Sequence, residues 1–292
     1  MPPLSRLWAP GSCRRFVVVW RGLALLMALR VALGPYRALA GQPEALFRPV
    51  SFLRVLDGMP PVSVIVALQV VGTVAALWAA ARGPGGGRGA RGAFVVTWLA
   101  YLVLAGLRSS LGKILHNDVL LLLAAVPFVA AWITSSADGS DERDCGWPVR
   151  AAMAVVAAAY FAAGVAKLRH SGVAWVTGDN MRYILSWAVV DGRMHFDGWT
   201  AWVSERAWLC TASAAGILGL ELLAPVAVGA PVLRPFFVGS AALLHVATWV
   251  LLGLDYWAWI GTVVVVLVDW DRVLRDKVPP TGRGRGAAPS RA

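Results

Sequence analysis

The sequence predicts an all-α protein, a multi-pass transmembrane helical bundle of about eight helices. The first observation is composition, since 58% of the 292 residues are hydrophobic and only 15% are charged. A soluble domain carries about 25% charged and about 45–50% apolar residues. The second observation is that the apolar residues form long uncharged runs, such as 119–132 and 149–165. Together they exclude an ordinary soluble domain and, over most of the chain, disorder.

Eight segments are long and apolar enough to be transmembrane spans. A helix needs about 20 mostly apolar residues to cross a bilayer. By that criterion the spans are 16–34, 60–81, 92–107, 115–134, 148–168, 206–228, 234–253 and 254–270. Arg21 and Arg30 fall inside the first span. Because an arginine at mid-membrane is costly, we expect Arg21 to reach the near interface and Arg30 to point into the bundle.

The chain divides into an N-terminal segment 1–15, a membrane domain 16–272 and a disordered basic tail 273–292. Connections on the side of the two termini carry more arginine and lysine than the others, which places both termini in the cytoplasm. The longest connection, 169–205, then faces outward. Its tryptophans favour the headgroup layer, and residues 181–190 are expected to form an interfacial helix. This stretch is either a lid over the bundle or the wall of a lipid or quinone entrance.

Charge and cysteine content exclude several other classes of protein. The formal charge is +11, but the basic residues lie at the edges of apolar segments and form no nucleic-acid-binding motif. We therefore expect no nucleic-acid partner. Three cysteines lie far apart in the sequence, which excludes a disulfide scaffold. No spacing of His, Cys and carboxylates indicates a metal site.

Ionisable residues inside the predicted bundle are the first candidates for function. They are His116, followed by Asn117, and Lys167, Glu221 and His245. The span topology places His116, Lys167 and His245 in the outer half of the bundle, where they can form one cluster with Asn117. Lys167 is the most informative, because only three of the 27 basic residues are lysines. Arginine keeps its proton, whereas a lysine in apolar surroundings can release it.

Each of these residues also has a purely structural explanation. The polar residues 116–118 can cap the helix that follows them. Lys167 can extend to the headgroups. Glu221 and His245 can form hydrogen bonds between helices, with Arg30 as the expected partner of Glu221.

Three segments in the middle of the chain carry a family resemblance. They read YFAAGVAKL at 160–168, WVTG at 175–178 and MRYI at 181–184. They resemble the membrane domain of vitamin K-dependent γ-carboxylase and its bacterial relatives, the horizontally transferred transmembrane (HTTM) family. That domain has a Y-F-x-A-G-x-x-K-L segment, then W-V-x-G and M-x-Y-L. The resemblance extends over 20–270 and includes an early helix with Arg30, His116 at the start of an apolar helix, and His245.

The resemblance implies a quinol chemistry. In the carboxylase, the lysine matching Lys167 is the base towards vitamin K hydroquinone, whose oxygenation gives a stronger base that removes a glutamate γ-proton before carbon dioxide adds. Lys167 is accordingly the expected base, with His116 and His245 near the quinol or oxygen. The expected cofactor is a menaquinol-type lipid quinone in a bacterial plasma membrane. The expected cofactor-binding residues are Asn117, Trp175, Tyr183 and Arg30.

Three departures from the carboxylase pattern limit what is carried over. Ala166 stands where the carboxylase has a second lysine, and the spacing from Lys167 to Trp175 is longer. After Trp270 only a short polar tail follows. We therefore do not expect this chain alone to carboxylate a peptide.

Two functional hypotheses remain open at this point. In the first, the protein is a quinol-dependent membrane enzyme with Lys167 as base. In the second, it is a non-catalytic membrane protein that binds lipid or a partner protein, and the polar residues only stabilise helix packing. Haem ligation by His116 and His245 is a weaker alternative. Transport is another, although no repeat or paired broken helix supports it.

Overall fold

The computed structural model describes residues 8–112, 116–134, 142–192 and 194–275. Over these ranges the chain forms twelve α-helices and no β-strand, joined by turns and short 3-10 segments. The fold is the all-α multi-pass bundle predicted from the sequence. The helices are α1 (Cys13–Leu33), α2 (Val62–Arg82), α3 (Gly87–Ser109), α4 (Val119–Thr134), α5 (Glu142–Ser171), α6 (Ala174–Thr177), α7 (Asn180–Asp191), α8 (Asp197–Ser204), α9 (Ala207–Gly229), α10 (Arg234–Leu252), α11 (Trp257–Leu267) and α12 (Trp270–Arg275).

Six helices of the described chain are long and apolar enough to cross a membrane, namely α1, α2, α3, α5, α9 and α10. Two shorter apolar helices, α4 and α11, occupy the other two predicted spans. Each predicted span therefore coincides with one helix. The main differences in length are α5, which has 30 residues, and α11, which has only 11. These apolar helices are compatible with an integral membrane protein.

Helix α1 lies inside the bundle and contacts α2, α3, α4, α5, α11 and α12. Its buried face carries Phe16 and Trp20 near the N-terminal end. The Trp20 ring lies 4.2 Å from that of Phe94, and the Phe16 ring stacks on Phe128 at 5.5 Å. Aromatic rings in contact add to the stabilisation that burial alone provides. This aromatic cluster joins α1, α3 and α4 at one end of the bundle.

Helices α5 and α9 form the second closely packed unit. A Cβ added at Gly164 would lie 3.0 Å from the Cβ of Glu221, so glycine allows the two backbones to approach there. Helix α10 packs on both α9 and α11 and connects this unit to the rest of the bundle. The approach at Gly164 brings the polar residues of α5 and α9 into contact.

The connection 169–205 is a helical layer. Helix α7 confirms the helix predicted at 181–190, and α6, α7 and α8 all pack on α9. A small separate core beneath them contains Met181, Leu185, Cys210 and Ala214. The outer surface of this layer is aromatic and exposed. The exposed rings are Tyr183, Trp187, Phe196, Trp199 and Trp202, and the exposed Trp208 follows at the start of α9.

A disulfide joins Cys13 at the start of α1 to Cys145 in α5. The sequence analysis did not predict this bond, because the two cysteines are separated by 132 residues. The rings of Trp8 and Trp147 lie 5.4 Å apart beside it. Residues 273–275 of the predicted tail belong to α12, whereas 276–292 and 1–7 lie outside the described residues.

Candidate functional site

Lys167 and Glu221 form an ion pair between α5 and α9. The Lys167 Nζ lies 2.6 Å from Glu221 Oε1, and the two side chains are 22% and 8% exposed. The same Nζ lies 5.3 Å from the centre of the Trp175 ring, which places an aromatic face beside the cation. The other carboxylate oxygen, Glu221 Oε2, is buried and has no hydrogen-bond partner in the described part of the chain. The pair therefore retains one unused acceptor.

His245 and Tyr160 form a second polar contact, between α10 and α5. The Tyr160 hydroxyl and His245 Nε2 are 2.7 Å apart and buried. The other ring nitrogen of His245, Nδ1, is buried without a partner among the described residues. Aromatic rings surround the contact, with Phe237 against Tyr160, Tyr256 stacked on His245, and Trp259 against both. The hydroxyl and imidazole are thus held in an apolar enclosure.

Arg30 is the centre of a third polar group. Its guanidinium binds Asp118 Oδ1 at 2.6 Å and Asp255 Oδ2 at 2.7 Å. The Tyr101 hydroxyl donates to the same Asp118 oxygen at 2.6 Å, and Arg108 lies 3.8 Å from the other one. The expectation that Arg30 points into the bundle is confirmed, but the expectation that it pairs with Glu221 is wrong. The guanidinium of Arg30 is already bound by the carboxylates of Asp118 and Asp255, and Lys167 is the partner of Glu221.

His116 and Asn117 contact α11 and the connection that precedes it. The His116 side chain is exposed, and its backbone carbonyl accepts a hydrogen bond from Trp259 Nε1 at 2.9 Å. The Asn117 amide donates to the backbone carbonyl of Asp255. These two residues therefore hold α11 and its preceding connection against the start of α4. Trp259 links them to Tyr160 and His245 through ring contacts.

The structure brings together part of the predicted site. Lys167 and Trp175 are in contact, and His245 reaches α5 through Tyr160, seven residues before Lys167. Seven residues are about two helical turns, or about 10 Å, so Tyr160 and Lys167 share one face of α5.

The other predicted site residues lie apart from Lys167. His116 contributes only its backbone to this region, and Arg30 belongs to the separate carboxylate group. The side chain of Tyr183 is 68% exposed on α7.

Sequence reasoning missed Tyr160, Asp118 and Asp255 as members of these groups. One signal was available for the aspartates, because a buried arginine requires carboxylate partners. Asp255 is the only acidic residue between Arg234 and Asp269. Tyr160 is the first residue of the segment that resembles the carboxylase, but nothing in the sequence indicated a chemical role for its hydroxyl.

Two open spaces border these groups. A cleft of about 360 Å³ lies against the α10–α11 connection and is lined by His245, Trp249, Asp255, Tyr256 and Trp257, among others. A larger groove of about 730 Å³ runs between α9 and α10. Its lining is almost entirely apolar and includes Ile217, Leu220, Leu223, Phe236, Phe237 and Leu244. In the residues that the structure describes, no three His, Cys, Asp or Glu side chains are grouped as metal ligands.

No protein-family model, curated protein sequence or solved structure matches the chain. The function is therefore argued from the residues and their geometry.

Proposed function

We propose that the chain is a quinol-dependent membrane enzyme of the HTTM and γ-carboxylase-like type, with Lys167 as the base. The observation that carries the proposal is the 2.6 Å contact between Lys167 Nζ and Glu221 Oε1. Ionisable residues within membrane-spanning helices are candidates for function, because their burial is costly. Lys167 also lies in the segment whose sequence resembles the family's lysine-containing helix.

The pair is suited to acid–base work. An amine and a carboxyl at this distance can share one proton, and separate charges are costly in apolar surroundings. When the shared proton is on Glu221, Lys167 Nζ has a lone pair and can accept a proton from a weakly acidic hydroxyl. Arginine cannot take this role, because its guanidinium stays protonated in proteins. Glu221 therefore assists Lys167 by holding the proton that the amine gives up.

A lipid quinol, when bound, supplies a weakly acidic hydroxyl on an aromatic ring and an apolar tail. The residues present fit such a group. The groove between α9 and α10 is apolar and large enough for part of an isoprenoid chain. Leu220 lines that groove and directly precedes Glu221, so the groove and the ion pair occupy neighbouring faces of α9. Trp175 offers a flat apolar surface beside the amine.

The aromatic layer of α6 to α8 supports a membrane location. Tryptophan and tyrosine favour the membrane–water interface, and Arg206 lies 3.9 Å from the centre of the Trp202 ring there. In this proposal the lipid bilayer is the main partner, the membrane is the plasma membrane of a bacterium, and the layer lies at its outer interface with both termini in the cytoplasm. Trp175 and His245 stay as the proposed neighbours of the quinol. The resemblance also assigns Asn117, Arg30, Tyr183 and His116 to the quinol, but Arg30 and Asn117 bind Asp118 and Asp255 instead, and Tyr183 and His116 are exposed.

The experiment is mass spectrometry of the organic extract from protein purified in native-lipid nanodiscs, together with oxidation of a soluble menaquinol analogue under oxygen. The variants are Lys167→Ala and Lys167→Arg. Arg169→Ala is the matched control, because it removes an exposed charge two residues away on the same helix. We expect a quinone enriched to near one per chain in the wild type and in Arg169→Ala. We expect analogue oxidation above the rate without protein to be lost in both Lys167 variants.

Two results would contradict the proposal. Extraction of bulk lipid only, from the wild type as well as the variants, would favour the non-catalytic membrane protein. Oxidation by Lys167→Arg at the wild-type rate would show that a fixed positive charge suffices and that Lys167 is not a base.

A further inference from the structure

Three polar side chains follow one another between the ion pair and the cleft. Tyr160 lies about two turns before Lys167 on the same face of α5, and its hydroxyl contacts His245. Glu221 packs against Gly164, which lies one turn after Tyr160 on the same face of α5. His245 in turn lines the cleft beside the α10–α11 connection. The order along this path is carboxylate, phenol, imidazole and open cleft.

Two polar atoms on this path are buried and unused. Glu221 Oε2 and His245 Nδ1 have no hydrogen-bond partner in the described chain, and the two residues are only 6% and 7% exposed. Buried polar atoms in proteins nearly always have a partner, in protein or in ordered water. One belongs to the carboxylate that packs one turn from Tyr160, and the other belongs to the imidazole that the Tyr160 hydroxyl contacts.

We propose that Tyr160 and His245 form a proton relay that connects Glu221 to the cleft at the α10–α11 connection. The relay deepens the proposed function, on which it rests for the source of its proton. A protonated Glu221 gives its proton through one water molecule to the Tyr160 oxygen. The Tyr160 O–H proton passes to His245 Nε2, and the Nδ1 proton passes to a water molecule that reaches Nδ1 from the neighbouring cleft. Glu221 ends as carboxylate, Tyr160 is unchanged, His245 ends as the tautomer protonated at Nε2, and one hydronium ion has formed.

The surroundings of His245 favour transfer over storage of charge. The groups that face it are Tyr160 from α5, Tyr256 from the connection and Trp259 from α11, and none of them is an anion. The nearest carboxylate on the cleft wall, Asp255, is 41% exposed and is bound to Arg30. A lasting imidazolium would therefore be buried without a counter-ion, which is costly.

The relay is tested by ring ¹⁵N NMR of protein labelled at histidine and held in nanodiscs. The chain has only four histidines, so each ring gives a separate pair of signals. His245→Gln identifies the His245 pair by its loss. We expect Glu221→Gln, which keeps the side-chain shape, to shift the His245 signals. In the Tyr160→Phe background we expect the same substitution to leave them unmoved, because the hydroxyl that connects the two groups is gone.

Tyr256→Phe is the matched control, since it removes a hydroxyl from another ring that contacts His245. In that background the response to Glu221→Gln is expected to persist. Unchanged signals from His170 and His195, which lie in the α5–α8 region, show that each variant is folded. His245 signals that ignore Glu221→Gln, or that respond equally without the Tyr160 hydroxyl, would overturn the relay.

The NMR result and the quinol result are independent. A coupled His245 with no quinone in the extract would leave the relay and reject the quinol as its proton source. A quinone-bearing enzyme with an uncoupled His245 would leave the proposed function and reject the relay.

Discussion

Lys167 Nζ and Glu221 Oε1 are 2.6 Å apart because α5 and α9 approach closely at Gly164. Gly164 precedes Lys167 by three residues, so the helix contact and the ion pair lie on one face of α5. A bulkier residue at position 164 would separate both at once. The closeness of two backbones is thus a condition for the chemistry proposed above.

We predict that Gly164→Leu destabilises the bundle by about 1–3 kcal/mol, as is typical of overpacking. The added side chain would meet Glu221 and Leu222, whose nearest atoms lie 3.0 Å from a Cβ at this position. Unfolding in mixed micelles with increasing dodecyl sulfate measures the change. Gly219→Leu is the control, because a Cβ there meets nothing within 4 Å. Equal losses of unfolding free energy in both variants would contradict a closer contact between α5 and α9 at Gly164 than elsewhere.

We predict that Lys167→Met costs more stability than Lys167→Met combined with Glu221→Leu. The single variant leaves a buried carboxylate without its cation, whereas the double variant removes both charges. The coupling free energy in a double-mutant cycle is expected at about 0.5–3 kcal/mol. The same micelle titration measures it. Additive effects of the two substitutions would contradict a direct ion pair.

We predict that Arg30→Leu destabilises the protein by about 3–5 kcal/mol, because it leaves the buried carboxylate of Asp118 without its nearest cation. Adding Asp118→Asn is expected to restore part of the loss, since one stranded charge is then removed. Arg21→Leu on the same helix is the control, because Arg21 is exposed. A loss no greater than that of the control would contradict the buried network.

We predict that the aromatic layer of α6 to α8 lies at the membrane interface. A spin label on Trp199→Cys, in a Cys210→Ser background, should be relaxed strongly by oxygen dissolved in lipid. The corresponding label on Gly85→Cys, in the connection between α2 and α3, should respond mainly to a water-soluble relaxing agent. The ratio of the two responses, measured by electron paramagnetic resonance in liposomes, decides the location. A water-like ratio at position 199 would place the layer in solvent.

Much of the fold could be predicted because apolar length determines where a helix crosses a bilayer. The predicted spans and helices agree within a few residues for α2, α9 and α10. The sequence predicted the short α11 less well, because its 11 residues join a longer apolar run through the non-helical residues 253–256. That interruption carries Asp255, whose binding to Arg30 depends on packing between distant parts of the chain.

The candidate site could be predicted only in part, for a related reason. Hydropathy gives the depth of a residue in the membrane but not the direction in which its helix faces. His116 was therefore expected in a cluster with Lys167, yet its ring is exposed and only its backbone joins the group. Glu221 was expected to pair with Arg30, but its partner is Lys167, because α5 is the helix that packs against α9 at this point.

The Cys13–Cys145 bond bears on which way the bundle is inserted. It lies at the end of α1 where Arg15 and Arg150 bind backbone carbonyls, the arginine-rich face that the positive-inside rule assigns to the cytoplasm. Cytosolic thiol pools keep most cysteines reduced. A cytoplasmic arginine-rich face therefore predicts that these two cysteines are mostly reduced in cells, whereas an outward-facing one predicts an intact bond. Alkylation of the thiols in whole cells, with and without prior reduction, would show whether the bond is formed and therefore on which side of the membrane this end of the bundle lies.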